Sequence, residues 1–176
     1  KCLMKNPILI LSMSFLILSS CKVHFTESTR LRIESSKDLT INQVQFYNDA
    51  PIRLVYKSSS MNDKINRGKV EFKNGYYYYH IHIPKHTKAV AKADQAHLMQ
   101  IFFEEGDDTF LTFKNDKNRN GELYQLNASE TDSGLYVSYG GKSMKIVEGE
   151  GAFLEIKKSL KNVHEKKKRK LKGVKI

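Results

Sequence analysis

Two short turn sequences limit what this chain can fold into. Asn74-Gly75 lies between Val70-Glu71-Phe72 and Tyr76-Tyr77-Tyr78-Tyr79. Gly140-Gly141 lies between Leu135-Tyr136-Val137-Ser138-Tyr139 and Met144-Lys145-Ile146-Val147. A two-residue link between twisted strands needs positive φ at both central positions, which these pairs accept at little steric cost. Each is therefore expected to close an antiparallel hairpin. A looser turn, Asn115 to Gly121, joins Phe110-Leu111-Thr112-Phe113 to Leu123-Tyr124-Gln125-Leu126.

Strand patterns fill the intervals. Lys69 to Lys73 alternates strictly, with Val70 and Phe72 on one face. Ile41, Val44, Phe46, Ile52, Leu54 and Tyr56 alternate less regularly. Leu98-Met99-Gln100-Ile101-Phe102-Phe103 reads as a central strand apolar on both faces. Ala89 to Ala96 reads as one or two helical turns, and Ala152 to Ile156 as a last strand, although Phe153, Ile156, Leu160 and Val163 also fit a helical spacing. The expected fold class is all-β: an antiparallel β-sandwich or a small barrel-like domain over residues 39–156. At 176 residues and 40% hydrophobic, one core is sustainable without covalent staples. No internal repeat is evident.

The ends of the chain differ from its middle. Read from Met4, a short positive region (Lys5) precedes an apolar run from Pro7 to Leu18 and then Ser19-Ser20-Cys21. That is the anatomy of a secretory signal peptide over residues 1–20, and the run falls short of the ~20 apolar residues a spanning helix needs. Leu18-Ser19-Ser20-Cys21 resembles the lipobox of bacterial lipoproteins. The resemblance implies a diacylglyceryl group on the Cys21 thiol, cleavage just before Cys21, and a small Gram-negative envelope lipoprotein anchored to the bilayer. Lys22, where some inner-membrane lipoproteins carry Asp, favours the outer membrane by the same analogy. Residues 22–38 read as a polar tether, with a short strand at Leu31-Arg32-Ile33. The only other cysteine, Cys2, would leave with the signal, so neither a disulfide nor a Cys-paired zinc site is expected.

The formal charge of +11 suggests a nucleic-acid binder until it is located. Residues 22–156 carry 18 basic and 18 acidic side chains, whereas residues 157–176 carry ten Lys/Arg and one acid. The body is neutral and the excess forms a basic tail, in which Lys166, Lys167, Lys168, Arg169, Lys170 and Lys172 are the candidate contacts to an anionic surface. An exported chain meets lipid headgroups or anionic envelope polymers, not nucleic acid.

Other constellations are weaker. His80 and His82 share one strand face and are candidate metal ligands with His86 or His97 and Asp94, but two ligands alone do not make a site. The expected arrangement turns both to solvent, with Ile81 and Ile83 to the core. Tyr76 and Tyr78, half of the Tyr76–Tyr79 stripe, would line up with them as a surface for sugar rings or a partner protein. Asp116-Lys117-Asn118-Arg119-Asn120-Gly121 opens like a calcium loop, but Asn127 stands where the bidentate Glu belongs. No G-x-S-x-G, phosphate-binding glycine loop or H-E-x-x-H is present. The expected function is a non-enzymatic binding or assembly module that partners the bilayer and an envelope protein or polymer, with no cofactor. The alternatives are a metal-binding lipoprotein using His80 and His82, or a glycan-binding accessory using the Tyr stripe.

Overall fold

The computed structural model describes residues 21–36, 39–61, 68–95 and 97–161. The signal segment and Lys166 to Lys172 lie outside the described residues. The described chain is all-β, built from two antiparallel sheets around one hydrophobic cluster. In chain order the elements are β1 (Lys22–His24), α1 (Glu27–Glu34), a 3-10 turn (Ile41–Gln43), β2 (Phe46–Asn48), β3 (Ile52–Ser58), β4 (Lys69–Lys73), β5 (Tyr76–Ile83), β6 (Lys88–Gln95) and β7 (Leu98–Phe102). They continue with β8 (Phe110–Asn115), α2 (Lys117–Asn120), β9 (Tyr124–Leu126), β10 (Ser129–Thr131), β11 (Gly134–Tyr139), β12 (Lys142–Glu148), β13 (Leu154–Lys157) and α3 (Lys158–Lys161).

One sheet runs β1-β13-β2-β6-β7-β8-β9 and the other β10-β11-β12-β3-β5-β4. The seven-stranded sheet rolls until its ends touch. Gln125 of β9 bridges Phe153 beside β13, and Leu123 bridges Thr26 just past β1. The Leu126 N–H donates to the Ala152 carbonyl at 2.8 Å along the same seam. Sandwich and barrel are thus combined: one sheet closes on itself and the other packs over the shared core.

Both expected tight hairpins form. Lys73 pairs Tyr76 across Asn74 (φ 52°) and Gly75 (φ 79°). Tyr139 pairs Lys142 across Gly140 (φ 59°) and Gly141 (φ 70°). A third two-residue hairpin, Asp132-Ser133 between β10 and β11, was not anticipated. The central strand at Leu98 is β7, flanked by β6 and β8, with Met99 and Ile101 fully buried.

Three segments differ from expectation. Ala89 to Ala96 is strand up to Gln95 rather than helix: Ala89 and Ala91 are buried while Lys88, Val90 and Lys92 are exposed, a period of two written in small residues. Residues 22–36 are no tether. Lys22, Val23 and His24 pair with Lys157, Ile156 and Glu155, and Phe25 is fully buried. Leu31-Arg32-Ile33 lies in α1, not in a strand. Thr26 caps that helix, its side chain accepting the Thr29 N–H at 3.2 Å, and Ile33 anchors it to the core while Leu31 faces solvent. At the other end both readings hold in succession, because β13 runs to Lys157 and α3 follows at Lys158.

Gly149 closes β12 onto the start of β3. Its φ is 89°, and a Cβ there would stand 2.3 Å from the Pro51 carbonyl oxygen and 2.9 Å from Ile52 Cα. Both obstacles are backbone, so a side chain cannot be accommodated by a rotamer change. Gly149→Ala is expected to cost about 3 kcal/mol, read as a fall in urea midpoint at unchanged slope.

Candidate functional site

The site that assembles most from distant sequence lies at the Cys21 end of the domain. Strand register builds it. Lys22 is opposite Lys157 on β13, Glu155 opposite Tyr47 on β2, and Tyr47 opposite Lys88 on β6. Val23, Ile156, Phe46 and Ala89 form the alternate row that enters the core, so these polar residues belong to the outer face. Tyr47 is nonetheless buried, because long side chains lie over it. The Lys22 ammonium sits 4.8 Å from the Tyr47 ring centroid, a cation–π distance.

The result is a groove of about 700 Å³ walled by Tyr47, His86 and four lysines, Lys22, Lys88, Lys157 and Lys158, with Cys21 also in its wall. Cys21 is exposed, and its carbonyl accepts the Lys158 N–H at 2.7 Å. Among the described residues none of the four lysines forms an ion pair. Two acids lie against histidines here: Glu155 Oε2 is 3.2 Å from His86 Nε2, without hydrogen-bond alignment, and Asp49 Oδ2 is 3.3 Å from His24 Nε2. His86 adopts φ 63°, and buried Asn48 fixes its turn. The Asn48 side chain donates to the Ala50 and Pro84 carbonyls at 2.7 and 2.8 Å and accepts the Thr87 N–H at 2.9 Å. The Asn48 carbonyl accepts the His86 N–H.

The remaining candidates do not converge. His82 is exposed and His80 half-buried on β5, with His80 Nε2 3.6 Å from Glu71 Oε2, while Ile81 and Ile83 are buried. His86 belongs to the groove with Glu155, and His97 to the turn between β6 and β7. Among the described residues no group of three His, Cys, Asp or Glu is placed to hold a metal ion. Tyr76 and Tyr78 share a face with His80 and His82, but the Lys57 ammonium lies 3.6 Å from the Tyr76 ring centroid, so that ring is capped. Tyr79 is buried, and its hydroxyl donates to the Ser60 and Met61 carbonyls. Asp116 is spent on structure, accepting the Asn118 N–H at 3.1 Å as the cap of α2.

Sequence reasoning passed over one buried charge cluster. Arg30 donates from Nε and Nη2 to the two Glu27 oxygens at 2.9 Å each, and from Nη1 to Glu34 Oε1 at 2.6 Å. The Tyr124 hydroxyl donates to Glu27 Oε2. The hydrogen bond from Arg30, aided by Tyr124 and by the positive charge nearby, holds the Glu27 carboxyl below its ordinary range against the opposing effect of burial. Glu27, Arg30 and Glu34 are spaced three and four apart, the signature of a helix that pairs its own charges. The cluster is internal to the fold and ties α1 to β9. The groove lysines left no such local signal, since they come from three separate stretches of chain. Among the described residues no helix is long and apolar enough to cross a membrane. Comparisons with protein-family models, with curated proteins and with solved structures find no match to this chain.

Proposed function

We propose that this protein is an envelope lipoprotein, anchored to a bilayer through an acylated Cys21 and acting there as a non-enzymatic binding or assembly module. The observation that carries the reading is the meeting of the two chain ends. Cys21 is exposed beside the first strand, and its carbonyl is bonded to Lys158, where the basic segment begins. Cys21, the residue proposed to carry the lipid, and the start of the basic segment at Lys157 and Lys158 lie at one pole, with Lys22 and Lys88 beside them. One acyl chain binds a membrane only marginally, whereas two chains, or one chain with a basic patch, hold it stably. The geometry supplies a pole where both would act on the same surface. The outer membrane is the favoured site, by analogy with lipoproteins that lack Asp after the acylated cysteine. The proposed partner beyond the bilayer is another envelope protein or an anionic envelope polymer.

Cys21→Ser tests the anchor. The parent protein is expected in the membrane fraction, resistant to salt extraction, with the mass of a diacylglyceryl group on its first residue. The Ser variant is expected to lose that mass and nearly all tight membrane association. A Ser variant that stays with membranes through a high-salt wash would overturn the reading.

A further inference from the structure

We propose that the Tyr47 groove binds the phosphate-bearing headgroup of an anionic phospholipid, so that the domain grips the bilayer non-covalently next to its anchor. This deepens the lipoprotein reading, and rests on it only in that the Cys21 pole faces a membrane. Four features converge. Lys22, Lys88, Lys157 and Lys158 surround one groove, and among the described residues no carboxylate is paired with any of them. The acids nearby lie against histidines rather than lysines, Glu155 3.2 Å from His86 and Asp49 3.3 Å from His24. Lys22 is already placed over the Tyr47 ring, so part of the ordering cost of a flexible lysine is met before a ligand arrives. The groove's size admits a phosphodiester with its glycerol, against the alkyl stems of the lysines.

Lysine suits this task. Its ammonium is a point charge that accepts any approach of a phosphate oxygen, which fits headgroups that rotate in a fluid bilayer. The contact need not be strong alone. With the chain held at the surface through Cys21, each encounter is intramolecular, and a weak site is filled by effective concentration. The basic residues beyond Lys161 would add general attraction to an anionic surface.

The test uses unlipidated protein beginning at residue 21 and carrying Cys21→Ser, which keeps every core residue from Phe25 to Ile156. Co-sedimentation is measured with phosphatidylcholine vesicles with and without phosphatidylglycerol. Binding is expected only when phosphatidylglycerol is present. Lys22→Gln/Lys88→Gln is expected to weaken it about 30-fold, at roughly a fivefold loss per charge near an anionic surface. Lys69→Gln/Lys73→Gln removes the same charge from the edge strand of the other sheet and is expected to weaken binding by less than about threefold. Lys157→Gln/Lys158→Gln repeats the comparison from the opposite wall, and circular dichroism of each variant confirms that it folds. Equal losses in groove and edge variants would reduce the effect to diffuse charge and overturn the proposal. So would absence of vesicle binding in the parent, or displacement by inorganic phosphate at the concentration of accessible lipid, which would mark a site for a soluble anion. Because no acyl chain is present, these results stand apart from the anchor: the groove can fail while Cys21 remains lipidated, and the reverse.

Discussion

A chain shortened to begin at Leu39, where the strand pattern in the sequence starts, will not fold. The lost segment carries Phe25, fully buried with its ring 5.0 Å from Phe46 in an edge-to-face contact and 5.2 Å from Tyr124. It also carries Ile33, buried by α1, and the whole of β1, which covers one edge of β13. Emptying a Phe site costs about 3–5 kcal/mol and an Ile site about 2–5, before the unpaired strand edge is counted. Together these reach the full stability of an ordinary domain, about 5–15 kcal/mol. Thermal unfolding followed by circular dichroism should show a cooperative transition for the chain starting at residue 21 and none for the chain starting at 39. The point variant Phe25→Ala, expected to lose about 3–5 kcal/mol, separates packing from strand pairing. A cooperative transition in the shorter chain would mean that residues 22–36 are an accessory after all.

Arg30→Ala is expected to cost about 3–5 kcal/mol, because it strands the Glu27 carboxylate in the interior with its main partner gone. Both residues are buried, and the hydrogen bonds to both Glu27 oxygens and to Glu34 leave with the guanidinium. The pH dependence gives a second readout. The Glu27 carboxyl is held below its ordinary range, first by its hydrogen bond from Arg30. A group with a depressed folded pKa adds stability that is present above its unfolded pKa and disappears as pH falls through the folded one. The parent should therefore lose this contribution on acidification below the usual carboxylate range. In Arg30→Ala the main lowering influence is gone and burial opposes the charged form, so this acid loss should shrink and the deficit relative to the parent should narrow as pH falls. Arg30→Ala/Glu27→Gln should recover part of the deficit, since a neutral amide beside Tyr124 no longer buries a charge. Urea midpoints across a pH series check all three. A double variant as unstable as the single one would show that the deficit comes from lost packing of the Arg30 stem.

The parts of this fold that were legible in the sequence are those written locally. Asn74-Gly75 and Gly140-Gly141 state their own backbone angles, and strict alternation in Lys69 to Lys73 states its own period. What failed was coded by partners. In β6 the inward residues are Ala89 and Ala91, so small that they read as helix formers, yet the strand holds because Phe46 on β2 and Ile101 on β7 lie opposite them. In α1 the buried positions include Glu27, Thr29 and Arg30, so hydrophobic periodicity is nearly absent and the segment passes for a tether. Its cap at Thr26 and its charge spacing were the available signals. The candidate site follows the same rule. The proposal of an acylated Cys21 rests on the residues before it. The groove does not, because Lys22, Lys88 and Lys157 become neighbours only when β1, β13, β2 and β6 take their register. The basic segment as a whole was visible in the charge distribution, but its meeting with Cys21 was not.

The seam between β1 and β13 also sets an order of events in time. Lys22 and Lys157 pair across almost the entire domain, as do the Thr26 and Leu123 positions that complete the roll. Local hairpins such as β4–β5 and β11–β12 can form within microseconds, but a contact of this span must bring together segments that are free until the last strand exists. A ribosome or a membrane pore that delivers the chain N-terminus first therefore releases β1 long before its partner. Until Ile156 emerges, Phe25 has no finished core to enter. The seam, and with it the closing of the rolled sheet, waits for β13.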